Sequence, residues 1–263
     1  MESHFKADLA SVLEGSALAG VLKLVNIGCH LEGSRDSDRM SREGFLKEFS
    51  EKTLLPQIFG SQGIHPHDSN QATDEVMVDF LRVIRENSRI VVVGETGLDY
   101  FYMRQPKEVQ IESLRKHMQL AQETGLPVSI HCRDPEKSFE AREDMLRMLS
   151  EFSRVRCVMH CFSQDRAYAE EVLAMPAGHI LSFSGTVSYP SADPVRQVAV
   201  MVPADRIVVE TDCPYLTPQT FRGKRNEPAF VVETAKVVAG LRGESLEKFS
   251  EISSANAEGF FGI

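Results

Sequence analysis

Short apolar runs alternate with longer amphipathic stretches along the whole chain. The runs cover residues 21–27, 58–64, 90–93, 127–130, 155–159, 179–183 and 207–209. Each is almost continuously apolar rather than alternating, which is the pattern of parallel strands covered on both faces. Between them the apolar positions recur at helical spacing. Residues 74–86 place Val76, Phe80, Leu81 and Ile84 on one face, and 109–124 do the same with Ile111, Leu114, Met118 and Ala121, with Gly125 as a C-terminal stop. Further helices are predicted over 137–152, 165–173, 228–241 and 246–251. Strand and helix alternating at intervals of roughly 30 residues predict βαβ units and a parallel sheet, either open and doubly wound or closed as a (β/α)8 barrel. A barrel needs one strand beyond the seven runs, and the only room for it is the very short stretch 1–5. No linker or repeat divides the chain, so residues 1–263 are expected to form one domain.

The polar residues gather where the apolar runs end. Ile64 leads into His65-Pro66-His67-Asp68, and Val93 into Gly94-Glu95-Thr96-Gly97-Leu98-Asp99. Ile130 leads into His131-Cys132-Arg133, Met159 into His160-Cys161, and Val209 into Glu210-Thr211-Asp212-Cys213. His4 would close the short first strand. In a barrel the C-terminal strand ends converge on one face, where the chemistry of that architecture sits. Glu95, His131, His160 and Asp212 would then meet there, and two imidazoles with two carboxylates suit a divalent metal such as Zn²⁺, Mn²⁺ or Mg²⁺. His65 and His67 either bind substrate or cap their loop. Arg133 and the basic stretch from Arg222 to Arg225 are candidates for phosphate contact.

Composition narrows the function classes. No apolar run reaches the roughly 18 residues of a transmembrane helix, and the first residues lack the pattern of a secretory signal. Asp and Glu total 38 against 29 Lys and Arg, a net charge of −9, so any grip on nucleic acid must be a local patch or go through a metal. The cysteines, Cys29, Cys132, Cys157, Cys161 and Cys213, form no CxxC pair and are expected to be reduced thiols of a cytoplasmic or nuclear protein. Cys132, Cys161 and Cys213 each follow a proposed ligand directly, so alternation along a strand points them at the helix layer as small apolar fillers.

Six motifs in order then resemble the TatD family of metal-dependent deoxyribonucleases, amidohydrolase-like TIM barrels. They are Gly63-Ile64-His65-Pro66-His67, Gly94 to Tyr100, Ile130-His131-Cys132-Arg133, His160-Cys161-Phe162, Glu210 to Leu216 and Arg222 to Pro228. The resemblance spans essentially the whole chain. It implies one or two divalent metals and hydrolysis of DNA phosphodiesters, often from an end. It implies that Glu95 is a carboxylate ligand able to bridge two metals, that His131 and His160 are imidazole ligands, and that Asp212 is a ligand and general base. His65, His67, Arg133 and Arg225 would lie around the substrate. A monomer is the default expectation, independent of the resemblance. One motif departs. The family commonly opens with Asp-x-His-x-His, and the matching stretch here is Glu2-Ser3-His4-Phe5-Lys6. His4 remains as a ligand candidate, but Lys6 replaces a histidine, and a protonated lysine repels a metal. Two rival readings follow: an amide or lactone hydrolase on the same metal site, and an impaired barrel that only binds metal or nucleic acid.

Overall fold

A computed structural model describes the chain except Met1, Ser50 and Thr53. All seven apolar runs form strands: β1 (Lys23–Asn26), β2 (Gln57–Gln62), β3 (Ile90–Asp99), β4 (Val128–Arg133), β5 (Cys157–Met159), β6 (Ile180–Phe183) and β7 (Ile207–Val209). They make one parallel sheet in sequential order. The sheet curls as in a barrel, with β1 and β7 as its two edges. The strand β3 runs on through the polar motif that follows its apolar start, and all of its residues are buried.

The helices are α1 (Glu2–Phe5), α2 (Leu9–Leu18), α3 (Leu31–Ser41), α4 (Asp74–Glu86), α5 (Lys107–Thr124), α6 (Glu140–Glu151), α7 (Arg166–Ala174), α8 (Asp193–Met201), α9 (Val231–Arg242) and α10 (Leu246–Phe261). Local chemistry sets their ends. Thr73 caps α4 by accepting from the Val76 N–H, and Asp165 caps α7 by accepting from Tyr168 N–H. Gly125 ends α5 at φ 73°, a left-handed conformation that glycine adopts without a Cβ penalty. The apolar faces of α4 to α9 pack on the outer face of the sheet in one large cluster that includes Phe80, Leu114, Met118, Met145, Val172 and Val238.

The expected first strand is not formed. Residues Glu2–Phe5 are helical, and Met1 lies outside the described residues. Phe5, Leu9, Val12 and Leu13 turn inward instead and bury with Met40, Phe45 and Ile58 in a separate apolar cluster, which Cys213 joins from the segment after β7. A four-residue strand would leave this apolar face uncovered, whereas a helix presents it to one surface. The two sheet edges are tied at both ends. Arg225, in the loop after β7, pairs with Asp8 at 2.6 Å and lies over the Phe5 ring at 4.3 Å. At the other end Lys23 of β1 pairs with Glu258 of α10 at 2.7 Å, while the Asn256 side-chain amide donates to the Ile207 carbonyl at 2.8 Å. Exposed ion pairs contribute little singly, so the buried apolar contacts carry most of this closure.

Candidate active site

The C-terminal ends of β2, β3, β4, β5 and β7 bring their polar residues together, as the barrel reading requires. The Glu95 carboxylate stands at the centre and is 6% exposed. Its Oε1 lies 3.2 Å from His131 Nδ1, 3.7 Å from His65 Nε2 and 3.8 Å from His160 Nε2. Asp212 Oδ1 lies 3.6 Å from the same His160 nitrogen. Two glycines permit this convergence. A Cβ on Gly97 would sit 1.9 Å from the His131 carbonyl oxygen, and one on Gly63 would sit 2.3 Å from the Gly94 backbone. Any larger residue would push β3 away from β4 or from the segment that carries His65.

The outer nitrogens of the rings decide what each can do. His131 donates from Nε2 to Asp99 Oδ2 at 3.0 Å, so Nδ1, which faces Glu95, is the nitrogen whose lone pair a metal would take on displacing its proton. His160 donates from Nδ1 to Glu210 Oε1 at 2.8 Å, so Nε2, which faces Glu95 and Asp212, is the nitrogen whose lone pair a metal would take on displacing its proton. Both have the carboxylate–imidazole arrangement found behind metal-binding histidines. His65 differs. Its Nδ1 accepts the His67 N–H at 3.2 Å, so its proton sits on Nε2 and it faces Glu95 as a donor. The ligand atoms of His65, Glu95 and His131 lie within 4.8 Å of one another, close enough to share an ion. The hydrogen bonding favours Glu95, His131, His160 and Asp212 as the lone-pair donors, two nitrogens and two carboxylates, a set that fits Zn²⁺ or Mn²⁺ and would accept Mg²⁺.

Charge reinforces this geometry. Burial disfavours the Glu95 carboxylate, but His160, His131 and His65 outweigh it and hold the group below the ordinary carboxylate range. Burial likewise opposes ionisation of Asp99, and His131 and the Tyr102 N–H overcome it. Burial also opposes protonation of His131 and His160, yet their carboxylate neighbours raise both above the usual histidine value. Burial pulls His65 down to about 4, against the opposing charge of Glu95, so it is neutral at pH 7. Burial pushes Asp212 up, with His160 opposing, which moves this carboxylate towards the role of a base.

The other predicted residues fall in different places. His67 joins the rim, 3.0 Å from Asp99 Oδ2. Arg133 is exposed at the end of β4, over the Phe101 ring at 4.2 Å and the Tyr102 ring at 4.9 Å. Arg225 is engaged by Asp8 and Glu227. His4 is not at a strand end. It is an exposed residue of α1 whose ring meets Tyr215 edge-on, and among the described residues it makes no ion pair with the cluster. Lys6 is exposed in the turn after α1. The filler reading holds for Cys132, which packs against the outer core and accepts the Tyr168 hydroxyl at 3.6 Å, and for Cys213, but not for Cys161, whose Sγ lies 3.0 Å from the Ser184 hydroxyl and joins none of the apolar clusters among the described residues. Cys29 is a thiol at the site itself, its Sγ 3.5 Å from Glu95 Oε2, with burial and Glu95 pushing it far up. Asp99 and Glu210 are the carboxylates behind His131 and His160, and strand-end position alone did not single them out. The signal available for Asp99 was its spacing of four from Glu95, which returns it to the same face of the strand.

Comparison with known proteins agrees with this architecture. The sequence profile described as "TatD related DNase" matches residues 1–262. The chain is 40% identical to an uncharacterised metal-dependent hydrolase, YcfH, of Escherichia coli K12, over 91% of this chain and 96% of that protein. It is 32% identical to a protein of Erwinia amylovora named 3'-5' ssDNA/RNA exonuclease TatD, over 99% of this chain and 96% of that one. In three dimensions it superposes on the TatD homologue YjjV of Escherichia coli with a TM-score of 0.83 at 24% identity, over 98% of this chain and 93% of that one. A match to one profile across nearly all residues, joined to a strand-end cluster of carboxylates and imidazoles, makes this chain a member of the TatD family of metal-dependent hydrolases.

Proposed function

We propose that this protein hydrolyses phosphodiester bonds of DNA, removing nucleotides from a strand end. The observation that carries the reading is the ring of donors around Glu95 Oε1, with His131, His160 and His65 nitrogens at 3.2 to 3.8 Å. The name of the Erwinia amylovora relative, a 3'-5' ssDNA/RNA exonuclease, supports the substrate class. Glu95, His131, His160 and Asp212 would hold a divalent ion, which when bound acidifies water and offsets charge on a phosphoryl group. The residues supply the rest. Asp212 takes the proton of the attacking water at Oδ1, since its raised affinity for a proton favours that step. The neutral His65 offers its Nε2–H to an oxygen entering the site, and Arg133 offers charge at the rim. Asp99 and Glu210 hold the two ligand imidazoles in the productive tautomer.

A time course of an end-labelled single-stranded oligonucleotide in Mg²⁺ or Mn²⁺, with Glu95→Ala as control, tests the proposal. Shortened products from the wild type alone are expected. Products of equal yield from Glu95→Ala would refute it, and turnover of amide or lactone substrates without nuclease activity would favour that rival chemistry.

A further inference from the structure

Exposed apolar side chains divide by type and by position. The exposed aromatics are Phe101, Tyr102, Phe139 and Tyr215. All four lie on segments leaving the C-terminal ends of strands, after β3, β4 and β7, on the face that carries the Glu95 cluster. Of the exposed non-aromatic apolar residues, Leu18, Leu22, Leu54, Val78 and Val200 lie on helices or on segments entering strands, and Met103 alone among the described residues joins the aromatics, next to Tyr102 after β3. A random scatter of surface hydrophobes needs no explanation, but aromatic rings confined to the mouth of one site do.

Phe101 and Tyr102 are built into that site. They follow Asp99, whose Oδ1 accepts the Tyr102 N–H at 2.8 Å and whose Oδ2 holds both His67 and His131. The Tyr102 ring stands perpendicular to His67, with centroids 5.4 Å apart, and His67 is 4.4 Å from His65. The two aromatic rings meet edge to face at 4.8 Å. Arg133 covers both, yet they remain 46% and 51% exposed. Aromatic rings that stay half exposed with a guanidinium lying over them match what a nucleotide presents, a planar base next to a phosphate. A base inside a duplex is stacked on both faces and held by its pair, whereas an unpaired terminal base is free to turn onto a ring.

We infer that Phe101 and Tyr102, with Arg133, form a subsite that stacks the unpaired base of the terminal nucleotide and so selects single-stranded ends. The inference rests on the phosphodiesterase reading and adds to it a determinant of specificity. The chain's −9 charge leaves little general attraction for DNA, so stacking has to supply much of the grip.

The test pairs two phosphorothioate-linked single strands, which resist hydrolysis, one unmodified and one abasic at both terminal nucleotides. Binding is followed by fluorescence anisotropy in Mg²⁺ with the full chain. The wild type is expected to bind the unmodified strand roughly 10-fold more tightly. Tyr102→Ala and Phe101→Ala should both bind it at the abasic level and discriminate no further, while Tyr102→Phe, which keeps the ring, should retain the preference. Undiminished discrimination in both alanine variants would overturn the inference, as would equal wild-type affinity for the two strands. Turnover on ordinary oligonucleotides separates this from the broader reading. Cleavage without a stacking preference removes the subsite and keeps the nuclease, whereas a stacking preference without cleavage does the reverse.

Discussion

Asp99 gives the sharpest test of how the site is organised. It is 1% exposed, and its carboxylate serves His131, His67 and the Tyr102 N–H at 3.0, 3.0 and 2.8 Å. Replacing it with asparagine keeps the shape and removes the charge. The amide nitrogen now faces His131 Nε2, which must accept instead of donate. The imidazole proton then moves to Nδ1, the nitrogen that faces Glu95, and its lone pair is lost to a metal. Loss of such an outer-shell partner costs about 10- to 100-fold in metal affinity, or roughly 1.4 to 2.7 kcal/mol. If the amide flips to restore the His131 bond, the Tyr102 N–H loses its acceptor, so one partner is stranded in either orientation. Calorimetric titration of Asp99→Asn with Mn²⁺ or Zn²⁺ reads the effect directly. Affinity within twofold of wild type would refute the tautomer argument, because the carboxylate would then have no say in which nitrogen carries the proton.

Three further outcomes follow from the same structure. Gly97→Ala should unfold or severely destabilise the protein, by roughly 3 kcal/mol or more, since the added Cβ meets the His131 carbonyl at 1.9 Å; a urea midpoint close to that of wild type would contradict this. His117 is fully buried, donates from Nδ1 to the Ser113 carbonyl and accepts the Ile64 N–H at Nε2, and burial lowers it to about 4 from near 6.5. The unfolded chain therefore binds the proton more readily, and stability falls as pH drops from 6.5 to about 4, by up to about 1.4 kcal/mol per pH unit; His117→Gln should show a shallower slope in urea melts across that range. Arg225 is held by Asp8 and Glu227 and lies over Phe5, so Arg225→Ala should lower the melting temperature slightly and leave KM for an oligonucleotide unchanged; a raised KM would instead make it a substrate contact.

The amino-acid sequence by itself determined the sheet and the side on which its chemistry sits. Seven apolar runs too short for helices, separated by amphipathic stretches, left parallel strands as the way to bury them, and all seven formed. The polar residues that close those runs, Glu95, His131, His160 and Asp212, could be placed on one face because strand direction is common to every βαβ unit. What lay beyond reach depends on contacts between distant segments. Residues 1–5 read as a strand because the barrel needed one, yet helix α1 forms over Glu2–Phe5 since Phe5 and the apolar face of α2 find a surface on Met40, Phe45 and Ile58. Period-two alternation gives the face a side chain points to but not its partner. That Asp99 grips His131 follows from the β3–β4 register, which sets Gly97 beside His131 and Asp99 beside Arg133. The same holds for Glu210 behind His160 and for Cys29 against Glu95, pairs that are 50 and 66 positions apart in the chain. Only the tertiary structure decided which imidazole nitrogen carries a proton, because that depends on the nearest carboxylate in space and leaves no local trace in the order of the residues.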